Sequence, residues 1–229
     1  MVEPAERPPI LRDKHWQEAS AFTPESLLRE ARRQKQASTS PVPEVCILDP
    51  DGDIVRSKRA QGLTRPHRDW VCYHTELDVI SLGGREVGIV GCAVGSAFAV
   101  LVAEELFVCG CRLILSLTSA GQLTPVEKPP YFILIDRALR DEGTSYHYCP
   151  PSDYSHAPAE LVSAFEKDPG GLPAPVITGQ AGPRMPLFGR RKARLSVTVN
   201  AVCWRSRWRR RRCMRLHRPA VVRSCASPM

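Results

Sequence analysis

The chain has no uninterrupted apolar run long enough to cross a membrane. Its most apolar stretch, Val87 to Leu117, is broken by Gly91, Gly95, Glu104, Glu105, Gly110 and Arg112. A spanning helix needs about 18–20 apolar residues without such breaks. The opening Met1-Val2-Glu3-Pro4-Ala5-Glu6-Arg7 lacks a charged-then-apolar signal pattern, so no export is expected. Metal-type cysteine spacing is missing too. Cys109-Gly110-Cys111 is C-x-C rather than C-x-x-C, and Cys203, Cys213, His217 and Cys225 match no common zinc spacing. The 9 cysteines form an odd set, which fits reduced thiols in a cytoplasm, most of them small core hydrophobes, and no metal site. A hydrophobic content of 43% excludes a chain disordered throughout.

One further absence is local. From Ala181 to Met229 there is no Asp or Glu, against 14 Lys and Arg. The preceding 180 residues hold 18 basic and 24 acidic side chains, so a mildly acidic body precedes a strongly basic tail. The formal net charge of +8 describes neither part. The composition predicts three regions: an N-terminal extension with one helix over 1–40, a main domain over 41–180, and a basic tail without fixed structure over 181–229.

Along the body, Thr23-Pro24-Glu25 opens a helix. Threonine can cap, proline suits the first helical position, and the acid favours the positive end of the helix dipole. Leu27, Leu28 and Ala31 give this helix an apolar stripe, and Arg29, Arg32, Arg33 and Lys35 load its C-terminal half. Gln36 to Pro43 reads as a linker. Val45 to Leu48 reads as a buried strand running into a turn at Asp49-Pro50-Asp51-Gly52-Asp53. Val71 to Leu82 is expected as a strand with broken alternation, Gly83-Gly84 as a hairpin turn, and Arg85 to Val90 as the next strand. Ala97 to Phe107 is expected as a mostly buried helix stopped by Gly110. Arg112 to Leu117 and Tyr131 to Ile135 are further strands, and Ala159 to Lys167 is a short amphipathic helix.

This strand–turn–helix–strand rhythm implies an α/β fold with a mixed, largely parallel sheet. In such sheets ligands sit beyond the C-terminal strand ends. The loops 49–56, 91–96 and 118–121 fall there, rich in Gly, Ser, Thr and Asp. Each alone fits an ordinary strand-to-helix turn; the three together point to a phosphate or sugar site.

Several stretches resemble the nucleoside phosphorylases, most closely the uridine phosphorylase branch. Gly52-Asp53-Ile54-Val55-Arg56 is similar to the family's G-D-P-x-R, and His67-Arg68-Asp69-Trp70 with Glu76-Leu77-Asp78 to its H-R-E-F…E-L-D. Gly95 with Ala103-Glu104-Glu105-Leu106 resembles its G-x-G-x-P-S…E-E-L unit. Ser116 to Gly121 lies where the family has R-x-G-T-x-G, and Arg140 to His147 resembles its R-x-D-G-x-S-x-H. The resemblance covers roughly residues 40 to 180 and implies a three-layer α/β/α phosphorylase-like fold, incomplete at its C-terminal part. It implies phosphorolysis of a nucleoside, a pyrimidine nucleoside in this branch, to free base and ribose 1-phosphate. Inorganic phosphate is then a co-substrate, no further cofactor is needed, and the intact family forms homo-oligomers. By position, the Gly52 backbone N–H and the Arg56 guanidinium would bind phosphate. Arg68 would reach the phosphate of a neighbouring subunit, and Ser119 would touch phosphate and ribose. Two departures stand out. Ser116 replaces an arginine and cannot supply its charge or fork, and Ala97 replaces the proline at the helix entry.

After residue 180 the family resemblance stops, and arginines stand where a base pocket and an acidic E-M-E helix are expected. If the tail is back-translated and read two bases later, permitted codon choices turn Ala181–Lys192 into W-T-T-D-A-P-F-R-E-T-E. They turn Cys203–His217 into L-E-I-E-M-E-A-A-A-L-Y-A-F-A. Both strings resemble the missing family segments in the right order. A slipped reading frame, as in a pseudogene copy, is therefore expected, with activity impaired or lost and no catalytic residue assigned. Two alternatives stay open. Arg205, Arg207 and Arg209 to Arg212, interleaved with Trp204 and Trp208, could bind nucleic acid. The Ser116 departure leaves room for hydrolysis by water on the same fold.

Overall fold

The computed structural model describes residues 8–12, 14–119 and 127–181, and the backbone of 200–205. Helix α1 spans Pro24–Lys35 and follows strongly from its sequence. The Thr23 hydroxyl oxygen accepts from the Ser26 N–H at 3.4 Å. Leu28 and Ala31 are buried, and the Lys35 ammonium donates to the carbonyls of Val71 (2.9 Å) and Cys72 (3.2 Å).

Strand β1 (Val45–Asp49) leads into α2 (Asp53–Ala60), then β2 (Thr64–Pro66), β3 (Leu77–Leu82) and β4 (Arg85–Gly91). Helix α3 (Ser96–Val108), β5 (Leu113–Thr118), β6 (Phe132–Leu139), β7 (Tyr154–His156), α4 (Ala159–Lys167) and β8 (Val176–Ala181) follow. The last described element is β9 (Asn200–Arg205). These nine strands form one sheet in the order β2-β3-β4-β1-β5-β9-β6-β7, with β8 also paired to β6. Strand β1 lies parallel to β4 and β5, and β6 parallel to β8 and β9. The pairs β2–β3, β3–β4, β5–β9 and β6–β7 are antiparallel. The sheet is thus mixed in equal measure rather than largely parallel. Gly83 and Gly84, both at positive φ, close the β3–β4 hairpin as expected.

Alternation along the strands sorts the core into two faces. Cys46, Leu48, Leu77, Val79 and Val90 pack with Leu28 and Ala31 of α1 and Val102, Ala103 and Leu106 of α3. Ile47, Ile80, Val87 and Ile89 face the other way and pack with Val55 of α2. This is helix, sheet, helix in layers.

Four local outcomes differ from the sequence reading. Residues 71–76 are loop, not strand, with Val71 and Cys72 buried and His74 and Glu76 exposed. Their carbonyls are met by Lys35, the Trp70 indole N–H donates to the Thr75 hydroxyl at 2.8 Å, and His74 at φ 64 breaks the extended chain. Residues 53–60 are helix, so the loop expected over 49–56 ends at Gly52. Helix α3 is buried along Val102, Ala103, Glu105 and Leu106, while Ala97 and Leu101 remain exposed. Finally, β9 lies inside the segment read as an unstructured tail, and over those six residues the backbone is a strand between β5 and β6. Among the described residues no helix is long and apolar enough to cross a membrane.

Candidate anion site at the strand ends

Because β4, β1 and β5 run parallel side by side, their C-terminal ends bring Gly91-Cys92, Asp49–Gly52 and Thr118-Ser119 to one edge. These belong to the three loops singled out by composition. Hydrogen bonds join them: the Cys92 N–H donates to the Asp49 carbonyl at 2.9 Å. The Ser119 N–H and the Thr118 hydroxyl donate to Asp51 Oδ2 at 2.6 and 3.1 Å.

Asp49 is the keystone of the β1–α2 turn. It is 1% exposed, and its carboxylate accepts from the Gly52 N–H at 3.1 Å and the Val55 N–H at 2.9 Å. Those are donors that a helix start leaves unpaired. A side chain four residues before the helix thus does the work normally given to the N-cap residue, where Gly52 has no side chain to offer. Gly52 sits at φ 72, and a Cβ there would lie 2.6 Å from Cys92 Sγ and 2.7 Å from Arg56 Nη1. The glycine therefore makes room for the arginine and the thiol.

Arg56, one turn into α2, lies over this gap. Its Nη2 donates to the Asp51 carbonyl at 2.9 Å and to Asp53 Oδ1 at 2.5 Å, and Nη1 stands 4.0 Å from Cys92 Sγ. The bond it donates to Asp53 is the main cause of its raised pKa. Arg56 is 60% exposed and Asp53 77%, so solvent screens the pair and it opens at little cost. Burial pushes the Asp51 carboxyl up. The Ser119 backbone and hydroxyl bonds, the Thr118 bond and the Arg56 charge outweigh that, and hold it below its ordinary value.

Of the four residues named from sequence, the structure therefore gathers Gly52, Arg56 and Ser119. The Gly52 N–H, expected to face an anion, instead donates to the Asp49 carbonyl (2.9 Å) and carboxylate. Arg68 lies elsewhere, on the wall of a hollow of about 1350 Å³ with Ser40, Pro41, Arg65, His67 and Asp69. Sequence reasoning missed Asp49 and Asp51 as individual actors. Their signal was the acid density of the turn itself, D-P-D-G-D.

The loop after β6 reaches the same side through the Ser96 and Thr144 hydroxyls, 2.9 Å apart. Arg140 organises this loop. It is 6% exposed and donates to the Ser145 and Ser152 hydroxyls (3.0 and 2.7 Å) and to the Pro150 and Cys149 carbonyls (2.5 and 3.1 Å). A second hollow, of about 460 Å³, lies between α1, α3 and this loop and is lined mainly by apolar side chains with Glu104 and Glu105. Burial raises the pKa of both carboxyls.

A guanidinium, a backbone N–H and a hydroxyl that converge beyond parallel strand ends can hold an oxyanion. A family model described as phosphorylase superfamily matches residues 52–183. Among solved structures the chain is similar to a uridine phosphorylase from Vibrio fischeri ES114, at 19% identity and a TM-score of 0.49, covering 65% of this chain and 60% of that one. It is also similar to a purine nucleoside phosphorylase from Toxoplasma gondii in complex with immucillin-H, at 12% identity and a TM-score of 0.56, covering 74% and 77%. The chain thus spans about 60% of the length of the uridine phosphorylase it matches. No match is found among curated protein sequences.

Proposed function

This chain belongs to the phosphorylase superfamily, and from that premise we propose that its strand-end cluster is a phosphate site for nucleoside phosphorolysis. The observation that carries the reading is the meeting of three strand ends around Gly52 and Arg56, at the start of the matched segment. In the reaction, a phosphate oxygen forms a bond to the anomeric carbon of the sugar while the bond to the base breaks. The sugar carries oxocarbenium character on the way. The protein must hold a multiply charged anion against that carbon, which calls for a fixed cation and preorganised donors. Arg56 supplies the charge and Ser119 the donors, with the Ser119 hydroxyl also within the proposed reach of ribose. Gly52 provides the space. Arg68, remote from the cluster, is assigned to the phosphate of a neighbouring copy in a homo-oligomer. No cofactor beyond phosphate is required, and the setting is the cytoplasm.

The phosphorylase-like domain is assigned to residues 41–180. The chain as it stands is impaired, because the base pocket and ribose-gripping acids expected after residue 180 are replaced by an acid-free segment. That the family match ends at residue 183 supports a slip in reading frame near Gly179–Pro183. Sequencing the gene across those codons tests this; an intact single frame with no alternative overlapping match removes the idea. The site itself is tested by incubating uridine with the protein, with and without phosphate, and following ribose 1-phosphate. Slow, phosphate-dependent product lost in Arg56→Gln supports the reading. Base release indifferent to phosphate assigns the fold to hydrolysis instead.

A further inference from the structure

The donors of the strand-end cluster are already in use. Asp51 Oδ2 takes the Ser119 N–H at 2.6 Å and the Thr118 hydroxyl at 3.1 Å, and Asp53 takes the Arg56 guanidinium at 2.5 Å. The Asp51 carbonyl takes the same guanidinium at 2.9 Å. The two aspartates flank Gly52 and between them satisfy the groups that an incoming oxyanion would use. They differ in kind. The Asp53–Arg56 pair is exposed on both sides. Asp51 bridges two strand ends, and its bonded oxygen stands where an anion's oxygen would have to stand to use the Ser119 N–H.

We infer that Asp51 is a resident anion that sets the affinity of this site for phosphate. It rests on the reading of the cluster as a phosphate site. Two like charges cannot share one set of donors cheaply, so phosphate must either displace the carboxylate from Ser119 and Thr118 or bind beside it against repulsion. The carboxylate stays ionised throughout the neutral range, because its neighbours hold it in the charged form. Competition is therefore built in at working pH rather than switched by it. Asp51 is a specificity-determining residue in this sense: it favours anions that bring a proton of their own to donate, such as singly protonated phosphate, over sulfate.

Calorimetric titration of inorganic phosphate into the full chain, Asp51→Asn and Asp51→Ser tests this. Both variants are expected to bind phosphate about 10-fold or more tightly than the parent, since one adjacent negative charge is removed. Their preference for phosphate over sulfate should shrink. The Ser119 amide resonance should move on phosphate addition in the variants and barely in the parent. Asp53→Asn should tighten binding less than Asp51→Asn does. Thermal melting identifies any variant that fails to fold, and the second substitution then carries the comparison. Equal, Arg56-dependent binding by parent and variants overturns the role of Asp51 and leaves the phosphate site standing. No phosphate binding by parent or variants overturns both.

Discussion

Between Val45 and Thr118 the strands carry helices on both faces and two apolar clusters. Between Phe132 and Ala181 they carry the short helix α4, and no described residue beyond Leu117 belongs to either cluster. The buried apolar residues of this second half are few: Tyr131, Leu134, Ile135 and Leu161. Among the described residues, the same sheet is thus closed at one end and thinly covered at the other. The difference has a functional side. The anion cluster stands at the ends of β4, β1 and β5, the strands with cover on both faces, so its geometry has a rigid base.

This contrast can be broken most directly by truncating the core. Leu106→Ala, at a residue with 0% exposure, is expected to cost about 3–4 kcal/mol, while Val176→Ala on half-buried β8 costs about 1 kcal/mol or less. Urea unfolding measures both, and equal losses would erase the distinction between the halves. Asp49→Ala comes next. It leaves the Gly52 and Val55 N–H groups without their carboxylate, at an expected cost of about 2–3 kcal/mol, whereas Asp53→Asn on the exposed rim of the same turn leaves the urea midpoint nearly unchanged.

A pH series sharpens the comparison further. Burial raises the pKa of Glu105, and its Oε2 has no hydrogen-bond partner among the described residues. An acid whose folded pKa is raised favours the folded state while neutral. That advantage is lost as pH climbs from the ordinary glutamate range through the raised value. Glu105→Gln should flatten this decline and raise the urea midpoint at pH 7 more than at pH 4. A decline that survives the substitution assigns it to another group. The smallest expected stability effect belongs to Arg56→Gln, which should leave the unfolding midpoint in place while removing phosphate binding.

Much of this architecture could be read from local pattern. Helix α1 announces itself through Thr23-Pro24-Glu25, β1 and β4 through short apolar runs, the hairpin through Gly83-Gly84, and α4 through its periodicity. What escaped was set by tertiary partners. Helix α2 is started by Asp49, a residue outside it, and Val71 and Cys72 are buried as loop because Lys35 of α1 meets their carbonyls. At the site, the loops were legible as a group because parallel strands send their C-terminal ends to one edge. The direction of the Gly52 N–H and the grip of Asp51 on Ser119 were not, since both depend on how neighbouring loops fold over one another.

The proposal at the centre is a phosphate site at the strand ends together with a slipped reading frame in the segment after residue 180. The most direct test is the rate of base release from uridine, with and without phosphate, by a version with the tail restored to the alternative frame. The account predicts phosphate-dependent formation of ribose 1-phosphate far above that of the present chain, abolished by Arg56→Gln. A restored chain that folds and stays inactive with uridine and other nucleosides, or one whose activity ignores both phosphate and Arg56, would contradict it.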